Sequence, residues 1–287
     1  MNNVLVTGAQ GQLGSEIKDL QTTYTNYTFF FTDRETLDIT QPKDIETFCC
    51  ENQIDVIINC AAYTAVDKAE EETNLCNAIN HLATDHLSKV AHKHNIQLVH
   101  ISTDYVFNGI NHKAFVESDH VSPINIYGKT KYLGEQAMLE NKPPKSIIIR
   151  TSWVYSSFGN NFVKTMLRLA ENRDQLTIIA DQIGTPTYAR DLAKTILDIL
   201  PKIENEGVEI YHYSNEGVCS WYDFAYEIFA RTKTDCKALP IETKDYPTAA
   251  ERPLFSLMNK NKIKKTFGIE IPHWKTALKQ CLVKLES

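Results

Sequence analysis

Short apolar runs alternate along the first half of the chain with longer segments whose apolar residues recur at helical spacing. The runs are Val4 to Val6, Tyr27 to Phe31, Val56 to Ile58, Leu98 to Ile101 and Ile147 to Ile149. Between them, apolar positions three to four residues apart predict helices, most clearly at Leu75, Ile79, Leu82, His86 and Val90. Alternation of this kind predicts a parallel sheet with helices on both faces, and strands rich in Val and Ile are typical of such buried sheets.

After Arg150 the regular alternation of predicted strands and helices gives way to loops that contain Trp, Tyr, Asn and Pro. The pattern still predicts a last strand over 208–211 and helices over 189–200 and 221–231. We therefore predict an α/β fold: a doubly wound parallel sheet of the Rossmann type with a smaller, irregular substrate-binding lobe over the carboxyl ends of its strands. Residues 1–150 and 188–212 are assigned to the sheet domain, and residues 151–187 and 213–287 to the lobe.

Composition narrows the class of protein. A chain of 287 residues with 43% hydrophobic and 23% charged residues is typical of a globular protein with a full core. Its net charge of -6 argues against an extended nucleic-acid interface. Seven cysteines without a C-x-x-C pair suit a reducing compartment better than a disulfide scaffold or a zinc site. With neither a signal-peptide pattern nor a membrane-spanning run, we expect a cytoplasmic protein that contacts neither nucleic acid nor membrane.

A glycine-rich segment follows the first predicted strand and opens the first helix. Gly8, Gly11 and Gly14 allow a tight turn, close approach of a pyrophosphate and close packing of the helix on the strand, so they predict a dinucleotide site. Asp33, at the end of the second strand, can accept hydrogen bonds from an adenosine ribose, which favours NAD. The neighbouring Arg34 can pair with the 2′-phosphate of NADP. We predict that both NADH and NADPH can serve.

Three polar side chains are predicted to meet at the carboxyl end of the fourth strand. Ser102 and Thr103 end that strand, where open α/β sheets bind ligands, and either hydroxyl can hydrogen-bond a carbonyl oxygen. Tyr127 and Lys131 stand four residues apart at the start of a helix and so share one face. A phenol needs help to release its proton at neutral pH, and a nearby ammonium lowers its pKa. These residue types fit ketone reduction by hydride and proton transfer.

The glycine motif, Thr103 and the Tyr-x-x-x-Lys pair together resemble the extended short-chain dehydrogenase/reductases. More narrowly, the segments "NCAAYTAVDKAE", "STDYVF", "YGKTK", "RTSWVY" and "DQIGTPT" resemble the dTDP-4-dehydrorhamnose reductases. The similarity runs from Met1 to at least Pro253. It implies NAD(P)H-dependent reduction of the 4-keto group of dTDP-4-dehydro-L-rhamnose, with the sheet domain binding the dinucleotide and the lobe binding the nucleotide sugar.

The resemblance implies a role for each matching residue. Tyr127 would be the general acid, Lys131 its electrostatic partner and ribose ligand, and Thr103 the hydroxyl that orients the substrate. The cofactor side would comprise Gly11, Gln12 and Leu13 at the pyrophosphate, Asp33 at the adenosine ribose, Asp38 and Ile39 at the adenine, and Ala61, Ala62 and Tyr63 beneath the cofactor. The sugar nucleotide would face Val66, Asp104 and Trp153, with help from Asn160, Asn161, Lys164, Arg252 and the loop at 184–187.

The resemblance also bears on whether this chain binds magnesium and whether it self-associates. Some members hold magnesium at a dimer contact built from acidic side chains, and a homodimer is therefore open for this chain. Arg190 stands where we look for one of those carboxylates, so the sequence disfavours a metal site.

Two other functions are weighed against the reductase. A nucleotide-sugar 4,6-dehydratase or epimerase is one, but dehydration requires Asp followed by Glu beside the catalytic Thr, and here Tyr105 follows Asp104. The other is a non-catalytic dinucleotide-binding subunit, since the regulatory β subunit of methionine adenosyltransferase looks similar over its length. The presence of Thr103, Tyr127 and Lys131 argues for turnover.

Overall fold

A six-stranded, fully parallel sheet forms the centre of the protein in a computed structural model that describes residues 2–286. The strand order across the sheet is β2, β1, β3, β4, β5, β10. The strands are β1 (Asn2–Thr7), β2 (Tyr27–Phe31), β3 (Val56–Asn59), β4 (Gln97–Thr103), β5 (Ser146–Thr151) and β10 (Val208–His212). The order reverses between β1 and β3, and this reversal creates the crevice in which doubly wound folds bind ligands.

Helices cover both faces of the sheet and build much of the second lobe. They are α1 (Gln12–Leu20), α2 (Pro42–Glu51), α3 (Val66–Ala69), α4 (Thr73–Asn77), α5 (Ala83–Lys93), α6 (Ile126–Asn141), α7 (Phe162–Ala170), α8 (Ala189–Ile199), α9 (Trp221–Thr232), α10 (Asn261–Phe267) and α11 (Trp274–Glu286). One apolar cluster joins β1 and β5 to α1 and α8, and a second joins the opposite face to α5. The doubly wound α/β prediction is confirmed.

The second lobe has its own apolar core and three small sheets. Its strands are β6 (Val154–Tyr155), β7 (Gln175–Ile179), β8 (Ile183–Gly184), β9 (Thr187–Tyr188), β11 (Cys219–Ser220) and β12 (Lys237–Ile241). Aromatic side chains from Tyr155, Tyr188, Phe224 and Trp274 fill this core. The short helix α10 instead contributes Ile263 and Phe267 to the core of the main sheet. The exact division of the chain into two domains stays a prediction.

One predicted helix differs from its expected form. The segment from Leu75 to Val90 is helical, but residues Ala78–Leu82 adopt the wider π-helical pitch between α4 and α5. Leu75 before this turn and Leu82 at its end are each 41% exposed. The turn aims Asn80 at the backbone of Tyr63, whose N–H donates to Asn80 Oδ1 at 2.9 Å. Single π turns of this kind often lie beside functional sites.

Candidate active site

The glycine turn lies directly against the end of β3. Gly8 has a φ of +65°, and a Cβ there would lie 2.7 Å from the backbone of Ala61. Only glycine fits this position, because the turn needs both the left-handed conformation and the missing side chain. Gly11 N donates to Gly8 O at 2.9 Å and closes the turn before α1 begins. The turn leaves backbone N–H groups at the start of α1, where an anionic group is favoured.

A cavity of about 430 Å³ opens on one side of this turn, towards β2. Predicted cofactor residues line it: Gly8, Gly11, Asp33, Arg34, Asp38, Ile39, Ala61 and Ala62. Leu75, Ala78 and Ile79, which the sequence analysis did not assign, add an apolar wall from α4 and the π turn. Tyr63 lies outside this wall, where its hydroxyl donates to Glu72 at 2.7 Å. An apolar pocket beside acidic and basic side chains suits an adenosine group, and this cavity is called the adenosine cavity below.

The Asp33 carboxylate is held in place by its own loop. The backbone N–H groups of Glu35 and Thr36 both donate to Asp33 Oδ1 at 3.0 Å, and the Gln10 side chain donates to Oδ2. These hydrogen bonds, the strongest from Thr36, hold the pKa of Asp33 below its ordinary value. The carboxylate therefore stays charged and oriented at the mouth of the cavity.

A second cavity, of about 540 Å³, lies on the other side of the turn over the ends of β4 and β5. It brings together most of the remaining predicted residues: Gly11, Gln12, Leu13, Ala62, Val66, Thr103, Asp104, Tyr127, Lys131, Trp153, Asn160 and Asn161. The two cavities share Gly11, Cys60 and Ala62. Gly14 lines neither of them and is buried, where a Cβ would lie 2.5 Å from Gly8 O.

Helix α6 starts at the rim of this cavity because three contacts fix its first turn. Asn125 caps the helix by accepting from Gly128 N at 2.8 Å, and its side chain donates to the Glu251 carbonyl at 2.8 Å. Ile126 N donates to Glu70 Oε1 at 2.9 Å. Gly128 lets the helix approach the strand-end loop, since a Cβ there would lie 2.2 Å from Tyr105 O. Tyr127 is thus held in the first turn, facing the cavity.

Tyr127, Thr103 and Asp104 meet in a site with little access to water. Thr103 Oγ1 donates to Asp104 Oδ1 at 3.1 Å, and both residues are buried. Burial raises the pKa of Asp104 to about 7, although the hydroxyls of Ser256 and Thr103 oppose that rise. Burial also raises the pKa of Tyr127 above its ordinary value, with the Thr103 hydroxyl opposing. The phenol therefore keeps its proton and is suited to donate it.

Lys131 lies beneath the cavity and is 1% exposed. Its Nζ donates to the Ile101 carbonyl at 2.6 Å and lies 3.2 Å from His100 Nε2. Burial lowers the pKa of Lys131 to about 8, while Glu135 raises it. The expected net lowering of the Tyr127 pKa is not found here, because burial is the largest influence on that pKa and raises it.

A buried ion pair stands one helical turn beyond Lys131. Arg150 at the end of β5 donates to Glu135 through Nε at 2.9 Å and through Nη2 at 2.7 Å. Both strand-end residues, Ser102 and Thr103, line the cavity, but the Ser102 hydroxyl donates to the same carboxylate at 2.5 Å and is therefore committed to Glu135. This pair was not among the predicted site residues. The available signal was the spacing of Tyr127, Lys131 and Glu135, four residues apart along one helix face.

The lobe closes the cavity with aromatic side chains. Trp153, at a φ of +48°, stacks on Trp221 with 3.7 Å between ring centroids, and both line the cavity. Trp221 was missed because it lies on α9, far along the chain from Trp153. Arg252 does not line the cavity but pairs with Asp67, 2.6 Å from Nη2 to Oδ2, beside Val66. Lys164 and the loop at 184–187 do not line it either.

Arg190 lies in an ion-pair network. Its guanidinium lies 3.1 Å from the buried Glu16 carboxylate and also pairs with Asp19, and Lys284 lies 3.0 Å from each of those carboxylates. Across residues 2–286, no three His, Cys, Asp or Glu side chains gather in a way that could hold a metal ion. Arg190 and Lys284 already pair with the carboxylates of Glu16 and Asp19, which a divalent ion would need as ligands. These residues therefore do not fit magnesium. Nor does any helix in this range combine the length and apolar content that a membrane crossing requires.

A Tyr-x-x-x-Lys pair beside a strand-end Thr, next to the glycine turn of a Rossmann sheet, defines the class of extended short-chain dehydrogenase/reductases. The model of the family described as RmlD substrate binding domain matches residues 1–287. The chain is 43% identical to a dTDP-4-dehydrorhamnose reductase of Aggregatibacter actinomycetemcomitans, over 97% of this chain and 98% of that protein. The chain belongs to this family, the dTDP-4-dehydrorhamnose reductases.

Solved structures agree with this assignment. A dTDP-4-dehydrorhamnose reductase of Clostridium acetobutylicum superposes with a TM-score of 0.95 at 40% identity, covering 99% of this chain and 100% of that chain. The reductase of Bacillus anthracis in complex with NADP superposes with a TM-score of 0.94 at 38% identity, with the same coverage.

Proposed function

We propose that this chain reduces the 4-keto group of dTDP-4-dehydro-L-rhamnose with NADPH or NADH to give dTDP-L-rhamnose, a precursor of cell-surface polysaccharide. The observation that carries the proposal is the placement of Thr103, Tyr127 and Lys131 in one cavity that continues past Gly11 and Ala62 into the adenosine cavity. The NADP complex of the Bacillus anthracis relative supports the cofactor class. We expect the reaction to take place in the cytoplasm, and a homodimer stays a prediction.

The residues present fit a nicotinamide dinucleotide. A pyrophosphate would approach the backbone at Gly8 and Gly11, where no side chain stands in the way. Asp33 and Arg34 stand at the mouth of the adenosine cavity, where they would hold a ribose hydroxyl and a 2′-phosphate. Lys131 lies on the other side of the turn, where it would hold the nicotinamide ribose. When bound, the dinucleotide supplies the hydride.

Tyr127 supplies the proton. Its phenol keeps that proton at neutral pH, and it would donate to the carbonyl oxygen as negative charge develops there. Thr103 would orient the carbonyl by a hydrogen bond. The Lys131 ammonium would then stabilise the phenolate that remains, an effect strengthened by the low dielectric of this buried site.

The sugar nucleotide is assigned to the lobe side of the cavity. Val66 and Trp153 provide apolar walls for a deoxysugar, and Asp104 provides a carboxyl group that can accept from its hydroxyls. Asn160 and Asn161 line the same wall near the glycine turn. Arg252 pairs with Asp67 on α3 and lies outside the residues that line the cavity.

The test is oxidation of NADPH or NADH by purified protein on addition of dTDP-4-dehydro-L-rhamnose, followed by loss of nicotinamide absorbance. Lys131→Ala is expected to lose most of this activity. The exposed Lys129, two residues earlier on the same helix, supplies the matched control Lys129→Ala, which should keep it. Failure of the unaltered protein to consume either cofactor would refute the proposed function.

A further inference from the structure

A buried row of polar side chains runs beneath the cavity from β1 through β3 to β4 and ends at Lys131. Thr7 donates to Asn59 Oδ1 at 2.7 Å, Asn59 Nδ2 lies 3.0 Å from His100 Nδ1, and His100 Nε2 lies 3.2 Å from Lys131 Nζ. None of the four residues is more than 1% exposed. Buried polar networks are costly unless every member is satisfied, so the state of each proton in this row matters. The proposed reduction has no role for His100.

The backbone of Ala61 orients the Asn59 amide. Ala61 N donates to Asn59 Oδ1 at 3.3 Å, and the Thr7 hydroxyl donates to the same oxygen. The amide oxygen therefore faces these two donors, and the NH₂ group faces His100. Because an amide NH₂ can only donate, His100 Nδ1 must accept.

This acceptor role determines the tautomer of His100. Burial, with a smaller effect of the Lys131 charge, holds the pKa of His100 well below its ordinary value, so the ring is neutral. A neutral imidazole whose Nδ1 accepts carries its one proton on Nε2. That N–H faces Lys131 Nζ, which can accept it only as a neutral amine, since an ammonium has no lone pair.

We infer that His100 is a positioning residue for Lys131: its Nε2–H holds the amine form of Nζ and shifts the equilibrium between ammonium and amine towards the amine in the protein without dinucleotide. The inference rests on the proposed function, in which ribose hydroxyls near Nζ favour the ammonium on binding. The contacts from Thr7 through Asn59 and His100 thereby connect β1, which leads into the glycine turn, to the charge of Lys131.

Other groups around Lys131 act on the same equilibrium. Burial is the largest influence and lowers its pKa to about 8, whereas Glu135 and Cys76 raise it. The titratable groups that act on it are Glu135 on α6, Cys76 on α4 and His100 on β4, with Arg150 on β5 paired with Glu135. Tyr127 on α6 lines the same cavity. With the folded pKa lowered, the ammonium is lost as pH rises through about 8. Dinucleotide affinity should begin to fall at that pH.

The experiment measures NADPH binding without sugar substrate, by fluorescence, from pH 6.5 to 10. The unaltered protein should show a dissociation constant that begins to rise near pH 8. In His100→Phe the N–H that opposes the ammonium is gone. The pH at which the dissociation constant begins to rise should therefore increase by about one unit, which corresponds to a roughly tenfold difference in the ammonium-to-amine ratio at a given pH. His212→Phe is the control, because His212 is also fully buried but bonds to the Phe115 carbonyl, away from Lys131.

Asn59→Asp provides a second, nearly isosteric test. A carboxylate oxygen in place of the NH₂ group forces the His100 proton onto Nδ1 and turns Nε2 into an acceptor for the ammonium, so the onset should again move up. Thermal melting verifies that each variant folds. An onset in His100→Phe that stays in place or moves down, or an unmoved onset in Asn59→Asp, would overturn this inference. Failure of the unaltered protein to bind NADPH at any pH would instead speak against the proposed function.

Discussion

Asp104 should make the protein less stable as pH rises, and Asp104→Asn should remove that dependence. The carboxyl group is 2% exposed, and burial raises its pKa from the ordinary 3.8 to about 7. Between these values the folded protein keeps a proton that the unfolded chain has released. A carboxyl whose pKa is raised on folding therefore stabilises the fold most at low pH, and this contribution is lost as pH rises towards the folded pKa.

The size of the effect follows from the two pKa values. One pKa unit corresponds to about 1.4 kcal/mol, and integration between pH 5 and pH 8 gives a loss of about 3 kcal/mol from this one group. With an unfolding entropy of roughly 2 cal/mol/K per residue, that loss corresponds to roughly 5 °C in Tm for a chain of 287 residues. Asparagine keeps the shape of the side chain and can still accept from Thr103, but it cannot ionise.

The assay is urea unfolding of both proteins at pH 5, 6, 7 and 8, with Asp174→Asn, an exposed loop carboxylate, as control. The free energy of unfolding of Asp104→Asn should gain about 3 kcal/mol relative to the unaltered protein between pH 5 and pH 8. The control should show no such trend. A difference between Asp104→Asn and the unaltered protein that stays constant with pH would mean that Asp104 titrates alike in the folded and unfolded states, and the burial argument would fail.

Three further outcomes are expected. Tyr127→Phe should lower kcat by roughly 10² to 10⁴ while NADPH affinity, measured by fluorescence, changes little; near-normal turnover would remove Tyr127 from proton transfer. Arg34→Ala should raise KM for NADPH more than KM for NADH, and equal effects would show that Arg34 does not contact the 2′-phosphate. Glu135→Gln should lower the free energy of unfolding by roughly 3 to 5 kcal/mol, because Arg150 is left buried without its counter-charge. The exposed Glu140→Gln on the same helix is the control, and a loss no larger than in that control would show that the pair adds little.

The main sheet was predictable because its strands are short, nearly continuous runs rich in Val, Ile and Phe. Such runs are typical of strands that are buried on both faces of a sheet. The strand Tyr27–Phe31 has the predicted bounds, and the last strand extends one residue beyond its prediction, to His212. The lobe was harder to predict because β6, β8, β9 and β11 are two residues long, which is too short for any periodicity. The π turn at Ala78–Leu82 has no signal in an apolar pattern that reads as continuous helix.

The candidate site likewise contains residues that the sequence predicted and contacts that it did not. Motifs at fixed spacing predicted Gly8, Tyr127 and Lys131, because those spacings follow from local turn and helix geometry. Contacts between distant segments left no such trace: Arg252 meets Asp67 across 185 positions, and the stacking of Trp221 on Trp153 joins helix α9 to a distant loop of the lobe. A single sequence contains the residue types for these contacts but not the information that they pair.

Helix α6 explains how the catalytic pair is held at the sheet. One face of the helix carries Tyr127, Lys131 and Glu135 on successive turns, with Lys131 and Glu135 buried against strand ends. Each of these two has a specific partner: the Ile101 carbonyl on β4 for Lys131, and Arg150 on β5 for Glu135. A slip of the helix by one residue would break both contacts and leave two charges unpaired in the interior, which is far more costly than an apolar mismatch. The buried polar face therefore costs stability, but it allows one helix position, and that position places the Tyr127 phenol at the cavity.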